Sequence, residues 1–197
     1  MNPAEVVKAN TRAAFDEFYA ATDFIATSYL DATRLALYDL VAMRCAAPPA
    51  TNVLDVGCGL GHGLLAVRHY LPAAALTGLD FSTVALAHAR SLLPAATFVA
   101  GDLYATPFAD GAFDLVLCLE TLEHVLDPTA ALGELRRLCA PGGRVVLTVP
   151  NGEIDRWDGH RHFWTPAQLT EFLRPYGLRY LALRQDDTVI LAELIKG

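Results

Sequence analysis

The stretch "NVLDVGCGLGHG", residues 52–63, constrains the fold of this chain more than any other feature. The apolar residues at its start are typical of a buried strand, and glycines then follow at alternate positions, at 57, 59, 61 and 63. Glycine adopts backbone angles that other residues avoid and lets the backbone come close to a ligand or another segment. A glycine turn between a strand and a helix is typical of nucleotide-type sites in α/β proteins.

Short β-rich runs alternate with helical patterns through the middle of the chain, which predicts a parallel sheet with helices on both faces. Strand patterns lie at 52–57, 76–80, 97–100, 113–119 and 144–149, and helical patterns at 62–71, 82–93 and 128–139. In the tail, two alternating runs meet at Gln185–Asp187 and predict an antiparallel hairpin. Residues 4–45 carry helical spacing. The fold class is therefore α/β.

Composition narrows the class of protein. The chain has 197 residues, is 53% hydrophobic and carries a formal net charge of −7, which counts against a polyanion-binding face and makes nucleic acid an unfavoured partner. The four cysteines show no CxxC spacing, as expected of reduced thiols. We see no secretion signal and no apolar run of the ~18–20 residues that span a bilayer. We expect a cytoplasmic, single-domain protein without a membrane segment.

The glycine pattern separates the possible ligands. The dinucleotide fingerprint G-x-G-x-x-G needs glycine at position 62 or 64, where the chain has His62 and Leu64, and the phosphate-binding G-x-x-x-x-G-K-[ST] is absent. The turn also lacks an obvious lysine or arginine for a phosphate, which suits an adenosine ligand without phosphates. Asp80 and Asp102 end two of the predicted strands, where carboxylates accept hydrogen bonds from ribose hydroxyls and from an adenine amino group.

Four segments together resemble the class I S-adenosylmethionine-dependent methyltransferases, in the broad group of ubiquinone-biosynthesis enzymes. They are "VLDVGCGLGHG", "GLDFS", "GDLYATPFADGAFDLVLCLETLEHVLDP" and "LCAPGGRVVLTVP", in the family's order and spacing. The resemblance implies a Rossmann-like sheet of seven strands, mostly parallel, whose last two strands form the antiparallel hairpin. It implies S-adenosyl-L-methionine as cofactor and S-adenosyl-L-homocysteine as product. We expect a helical cap at 1–47, a cofactor-binding core at 50–150 and a substrate-side loop, helix and hairpin at 151–197.

The resemblance also implies roles for the glycine turn. Asp55, Gly57, Gly59 and Gly61 would surround the methionine part of the cofactor, and Cys58 belongs to the same cofactor-binding turn.

The remaining cofactor residues implied by the resemblance follow the next three strands. Asp80 would hold the ribose, and Phe81 would pack beside the adenine. Asp102 and the backbone of Leu103 would hold the adenine edge, and Leu119 would line the pocket floor.

The stretch "CLETLEHVLD" holds the first candidate catalytic residues. If Glu120 begins a helical turn, Glu120, Glu123 and His124 share one face at i, i+3 and i+4. Two carboxylates and an imidazole that converge at a sheet edge can bind a divalent cation. A hydroxyl acceptor also needs a group that removes its proton, a base or a metal.

A second cluster lies in "DRWDGHRHFWTPAQL", where Thr165 is a candidate helix cap. Ubiquinone-type O-methyltransferases and small-RNA 3′-end 2′-O-methyltransferases carry a metal-binding E-x-x-E-H motif, and the RNA enzymes add a later histidine before W-T. Glu120–His124 matches this motif, and His160 is the better-aligned second histidine. Three interpretations stay open: a metal held by Glu120, Glu123, His124 and His160; a metal-free site with His124, His160 or Glu120 as catalytic groups; and structural roles.

The predicted N-terminal helices have two interpretations. The resemblance makes them a lid over the pocket, lined by Tyr19, Phe24 and Tyr29, whereas aromatic residues at helical spacing also suit an ordinary core. By the same reasoning, an aromatic wall for a planar or apolar acceptor is expected from Trp157, Phe163 and Trp164, which otherwise simply pack against the sheet.

Three functions compete. The leading one is methylation of a small molecule at oxygen or nitrogen, because the chain adds no recognition domain to the minimal fold. The second is 2′-O-methylation of RNA, prompted by the E-x-x-E-H resemblance, with the net charge against it. The third is a protein that binds the cofactor without methyl transfer. Neither the acceptor nor the oligomeric state follows from the sequence.

Overall fold

The structure, a computed structural model, describes residues 3–21, 31–184 and 186–197. It contains one seven-stranded sheet with the strand order β3-β2-β1-β4-β5-β7-β6. The strands are β1 (Asn52–Val56), β2 (Ala75–Asp80), β3 (Thr97–Ala100), β4 (Phe113–Leu119), β5 (Cys139–Pro150), β6 (Leu178–Leu183) and β7 (Val189–Ile195). The predicted α/β class and the seven-stranded sheet are confirmed.

Strand direction also matches the prediction. The pairs among β1, β2, β3, β4 and β5 are parallel, whereas β7 is antiparallel to both β5 and β6. The C-terminal hairpin folds so that its second strand lies next to β5, which leaves β6 at the edge of the sheet.

Five of the seven described α-helices begin at a residue whose side chain caps the first turn. They are α1 (Pro3–Lys8), α2 (Arg12–Ala20), α3 (Ala32–Cys45), α4 (His62–Tyr70), α5 (Thr83–Leu92), α6 (Pro128–Leu138) and α7 (Pro166–Leu173). The Asp127 carboxylate accepts from two backbone N–H groups at the start of α6, and Thr165 forms a capping box with Gln168. The cap predicted at Thr165 is confirmed, and both helices have proline at the first helical position.

Two apolar cores cover the two faces of the sheet. Because side chains alternate along a strand, Val53 joins the core beneath α3, α4 and α5, while its neighbour Leu54 joins the core beneath α6 and α7. Val41 of α3 and Leu135 of α6 are fully buried against opposite faces. The prediction of helices on both faces is confirmed.

Strand β5 is longer than predicted. Its expected range was Arg144–Val149, but pairing with β4 begins at Cys139, opposite Phe113, and resumes with Arg144 opposite Leu115. Residues 140–143 between these pairs form an irregular insert, in which Gly142 has a φ of +74°. Glycine reaches this backbone region without strain, so residues 140–143 form an irregularity inside the strand.

The parallel strands bring their carboxyl ends to one edge of the sheet. The glycine turn follows β1, Asp80 ends β2, Asp102 follows β3, and the segment 120–124 follows β4. Strand β1 lies between β2 and β4, so the chain order reverses beside it, where open α/β sheets bind ligands. Among the described residues, no helix is both long and apolar enough to cross a bilayer.

Candidate functional site

A cavity of about 580 Å³ lies at this carboxyl edge of the sheet. Its walls come from the segments that follow β1 to β4, from α1, α2 and the start of α3, and from the loop after β5. A concave site of this size accommodates a cofactor-sized ligand.

The glycine turn requires glycine at three positions because of its backbone angles. Gly57, Gly59 and Gly61 have φ values of +75°, +49° and +83°. A Cβ atom on Gly57 would also lie 2.5 Å from the side chain of Thr121. At Gly63 a Cβ would lie 3.1 Å from a carboxylate oxygen of Asp55, so this glycine serves the packing of helix α4 on the sheet.

Asp80 links the glycine turn to the cavity wall. Its carboxylate accepts hydrogen bonds from the backbone N–H of Gly59 (2.9 Å) and of Ser82 (2.8 Å). Burial raises the pKa of Asp80 to about 6. Because each carboxylate oxygen accepts more than one hydrogen bond, Asp80 still has acceptor capacity toward the cavity that it lines.

Five of the ten predicted cofactor residues line the cavity. The predicted residues on its wall are Gly57, Asp80, Phe81, Asp102 and Leu103. The Asp102 carboxylate accepts from the backbone N–H of Tyr104 (2.9 Å) and is otherwise exposed.

The other five predicted cofactor residues lie behind the wall. They are Asp55, Cys58, Gly59, Gly61 and Leu119, none of which belongs to the cavity lining. Asp55 is 2% exposed, and its Oδ1 has no hydrogen-bond partner. Burial, with the Asp80 carboxylate nearby, raises the pKa of Asp55 to about 7.

The expected helical turn at Glu120 is wrong. Glu120 has a φ of +51°, and its N–H donates to the backbone oxygen and the hydroxyl of Thr148 on β5 (3.1 Å each). These bonds hold Glu120 at the end of the sheet and turn the chain away from it. A short turn then closes with the N–H of His124 donating to the carbonyl of Thr121 (3.0 Å).

The turn nevertheless brings Glu123 and His124 against His160. One ligand atom from each lies within 4.8 Å of those of the other two, and Glu120 does not belong to this group of three. Oε2 of Glu123 and Nδ1 of both histidines are buried without a hydrogen-bond partner. Nδ1 of His160 lies 3.2 Å from Oδ1 of Asp155, close enough for an ion pair but outside hydrogen-bond alignment.

Burial dominates the electrostatics of this group. It raises the pKa of Glu120, and burial together with the Glu120 charge raises the pKa of Glu123. Burial, with the His160 imidazole close by, lowers the pKa of His124 to about 3. His124 is therefore a neutral imidazole at physiological pH, able to donate one hydrogen bond and to accept another.

The N-terminal helices form one wall of the cavity. The Phe15 ring lies 5.0 Å from that of Phe81 and 6.0 Å from that of His124, between centroids. The Asp16 carboxylate accepts from the Ser82 hydroxyl (2.6 Å), which ties α2 to the start of α5. Tyr19 lines the cavity as expected, whereas the other two predicted lid residues, at 24 and 29, lie outside the described residues.

The loop after β5 completes the site. Trp157 lines the cavity, 4.9 Å from the His160 ring. His162 does not line the cavity, and its Nε2 lies 2.8 Å from the carbonyl oxygen of Val125. Sequence reasoning missed Asp155 and Arg34, which both line the cavity. Asp155 lies only five residues before His160 in the same loop, and this closeness in sequence was a signal for it. Nothing in the sequence pointed to Arg34.

The fold and the site are those of an α/β protein with a ligand cavity at the carboxyl edge of its parallel strands. Comparisons with known proteins find methyltransferases among the similar chains. Residues 54–147 match the family described as "Methyltransferase domain". A probable S-adenosylmethionine-dependent methyltransferase of Mycolicibacterium smegmatis is 31% identical over 149 residues, covering 72% of this chain and 56% of that protein. The ubiquinone biosynthesis O-methyltransferase of Alkalilimnicola ehrlichii is 38% identical over 118 residues, covering 57% of this chain and 47% of that protein.

Solved structures agree on the fold. The structure of the cyclase SpnF superimposes with a TM-score of 0.69 at 28% identity, covering 78% of this chain and 62% of that one. The chain is thus similar to S-adenosylmethionine-dependent methyltransferases, and its residues 54–147 carry the methyltransferase match. It spans 32%, 56% and 46% of the length of the first three curated relatives that it matches.

Proposed function

We propose that this protein transfers a methyl group from S-adenosylmethionine to an oxygen or nitrogen atom of a small molecule. The observation that carries the proposal is that one cavity joins two groups of residues. Asp80, Phe81 and Asp102 on one part of its wall suit an adenosine, and His124 and His160 on another part suit an acceptor.

The residues present fit the cofactor. Asp80 offers a charged acceptor at a strand end, beside a turn whose Gly57 has no side chain to fill the cavity. Phe81 supplies an aromatic wall and Asp102 an exposed carboxylate. None of these residues supplies a positive charge for a phosphate, as an uncharged ribose and adenine require. When bound, S-adenosylmethionine supplies an activated methyl group.

The chain's own residues would orient and deprotonate the acceptor. The neutral His124 imidazole is available to hold an acceptor hydroxyl or amine by a hydrogen bond. His160, with the Asp155 carboxylate 3.2 Å from its Nδ1, is the better-placed base, because that carboxylate stabilises the imidazolium formed when a proton is taken up. The aromatic wall of Phe15 and Trp157 excludes water and favours a planar or apolar acceptor.

We further propose that Glu123, His124 and His160 can hold a divalent cation. A carboxylate and two imidazoles form a donor set that suits transition-metal ions, and each of the three residues has a buried polar atom without a partner. A cation there would polarise an acceptor hydroxyl and lower its pKa. Glu120, which the sequence also suggested, would act from outside this set.

Two alternative functions make different predictions. A 2′-O-methyltransferase acting on RNA 3′ ends would methylate oligonucleotides, against the net charge of −7. A protein that binds S-adenosylmethionine without transferring its methyl group would bind tightly and release no S-adenosylhomocysteine. The observation that favours this second alternative is the structural similarity to a protein named as a cyclase.

Release of S-adenosylhomocysteine from a panel of acceptors tests the proposal. The panel contains catechols, phenols, small amines and short RNA oligonucleotides, with and without added Mg²⁺, Mn²⁺ or Zn²⁺. We expect turnover with at least one small molecule and a product heavier by one methyl group. Turnover on RNA alone, or binding without turnover on any acceptor, would favour one of the alternatives.

We also propose that cap, core and C-terminal segment work as one methyltransferase unit in the cytoplasm. The cap residue Phe15 contacts the core residue Phe81, and Lys8 of the cap forms an ion pair with Asp158 of the C-terminal segment (2.9 Å). All four cysteines are free thiols, as suits a reducing compartment.

A further inference from the structure

We propose that a second cavity, at the amino-terminal edge of the sheet, binds a phosphate group of a small molecule through Arg44, Arg144 and Arg179. This cavity measures about 530 Å³. It lies between the end of α3, the loop 47–50 before β1, the first residues of β4, β5 and β6, and the last residues of β7. It shares no lining residue with the candidate active site.

The charge of this cavity is opposite to that of the whole protein. Its lining contains three arginines against two carboxylates, Asp114 and Glu193, whereas the chain as a whole carries −7. The Asp114 carboxylate is already engaged by the backbone N–H and hydroxyl of Thr51 (2.9 and 2.7 Å) and by the N–H of Asn52 (3.0 Å). These bonds orient the Asp114 carboxylate toward the start of β1, and the three arginines still outnumber the two carboxylates of the lining.

Arg44 is held rigidly but keeps free hydrogen-bond donors. Its guanidinium carbon lies 3.6 Å from the centroid of the Tyr180 ring, a cation–π contact that fixes the plane of the group. Its Nε lies 3.3 Å from an oxygen of the buried Glu193, yet this buried nitrogen makes no hydrogen bond. Nε faces Glu193 and is closed off from the cavity, whereas the two terminal nitrogens of Arg44 make no described hydrogen bond and remain as the donors for an oxyanion, which guanidinium binds in a fork.

Arg144 and Arg179 contribute in different ways. Arg144 is 5% exposed and donates to the backbone carbonyls of Cys45 (2.9 Å), Ala47 (3.2 Å) and Pro48 (2.7 Å), so it supplies a fixed positive charge at the back of the cavity. Arg179 is exposed at the rim and forms no ion pair with any residue that the structure describes. Its side chain can close over a bound anion.

These features select the ligand class. Several arginines around one cavity match a group with several oxygens and more than one negative charge, and phosphate is such a group. The cavity is larger than a single inorganic phosphate needs, and a Cβ on Gly142 would meet no atom within 4 Å, so space remains for an organic portion. A phosphate monoester of a small organic molecule fits both observations.

Calorimetric titration of the full chain with inorganic phosphate, pyrophosphate and glycerol phosphate tests this inference. We expect saturable binding of glycerol phosphate or pyrophosphate that weakens at high salt, as charge-dominated binding does. Arg44→Gln and Arg179→Gln should each weaken binding about tenfold, the loss expected for a charged hydrogen bond. Saturating S-adenosylhomocysteine should leave the affinity for the phosphate unchanged, because the cavities are separate.

Arg174→Gln is the matched control, since Arg174 is an exposed arginine outside this cavity. Arg44→Gln leaves Glu193 without its partner and can lower stability. If Arg44→Gln unfolds, Arg179→Gln decides the test, because Arg179 makes no described contact that the substitution would break. Absence of binding to the folded wild-type protein would overturn the inference. Equal affinities for wild type, Arg174→Gln and Arg179→Gln would overturn it too.

Discussion

The imidazole rings of His124 and His160 lie 5.0 Å apart between centroids, inclined at 61° to each other, on the cavity wall, with His160 buried and His124 partly buried. Two imidazoles so close cannot both be protonated without strong repulsion. Burial, with the His160 imidazole close by, lowers the pKa of His124 to about 3, so His124 is neutral at physiological pH. This supports the proposed roles, with His124 as a hydrogen-bonding group and His160, beside Asp155, as the base.

Replacing His124 separates catalysis from cofactor binding. In His124→Gln, we expect turnover of any acceptor found in the panel to fall about 100-fold, because general acid–base groups and their partners contribute on that order. The affinity for S-adenosylmethionine should stay nearly unchanged. His69→Gln, an exposed histidine on α4, serves as control and should keep full turnover. Parallel loss of binding and turnover, or loss of neither, would show that His124 does not act on the acceptor.

Metal binding at the proposed cation site is testable with two neighbouring histidines. After chelator treatment, the wild-type protein should take up Mn²⁺ or Zn²⁺ stoichiometrically, and His160→Ala should lose this uptake because it removes one of three ligands. His162→Ala should retain uptake, since the His162 Nε2 contacts the Val125 carbonyl outside the site. Elemental analysis after dialysis is the readout. Uptake that His160→Ala leaves intact would contradict the assignment.

Much of the fold could be predicted because the strand–glycine–helix pattern and the alternation of elements are local. Asp80 and Asp102 could be placed near each other from the sequence, since parallel strands bring their carboxyl ends to one edge. The cap residues Asp127 and Thr165 were also predictable, because a cap bonds only to the first turn of its own helix.

The rest of the site depends on contacts between distant segments. Glu120 takes a left-handed conformation because Thr148, 28 residues later, holds its N–H, and no spacing rule reveals this. Arg34 reaches the cavity only through the packing of α3. Asp55 has the expected sequence position but lies behind the glycine turn, because burial of β1 at the centre of the sheet decides where its side chain goes.

Two glycine substitutions should change stability in opposite directions. Gly57→Ala forces a left-handed conformation that costs about 1–2 kcal/mol and places a Cβ 2.5 Å from Thr121, so the free energy of unfolding should fall by more than the backbone cost alone. Gly133→Ala fills open space within α6 and should raise the free energy of unfolding by about 0.5–1 kcal/mol. Urea unfolding measures both. Equal effects of the two substitutions would contradict the described turn.

Asp55 should make stability depend on pH. Its pKa is about 7 in the folded protein against an ordinary value of 3.8, so the folded state binds a proton more readily than the unfolded state between those values. The free energy of unfolding should therefore fall as pH rises from about 4 to about 7, as ionisation of the buried carboxyl opposes folding.

The variant Asp55→Asn cannot ionise at this position, so its free energy of unfolding should fall less over the same pH range. Urea unfolding at intervals from pH 4 to pH 8 gives the comparison. Asp158→Asn removes an exposed carboxylate instead and should follow the wild-type profile. Identical profiles for wild type and Asp55→Asn would show that Asp55 is charged throughout the range.

We propose that the cavity at the carboxyl edge of the sheet holds S-adenosylmethionine with Asp80 as its ribose acceptor. Calorimetric titration with S-adenosylmethionine tests it most directly, on wild type, Asp80→Asn and the exposed control Glu171→Gln. We predict saturable binding to wild type and control, and binding at least about tenfold weaker in a folded Asp80→Asn. Absence of saturable binding to the wild-type protein, or an unchanged affinity in Asp80→Asn, would contradict the account.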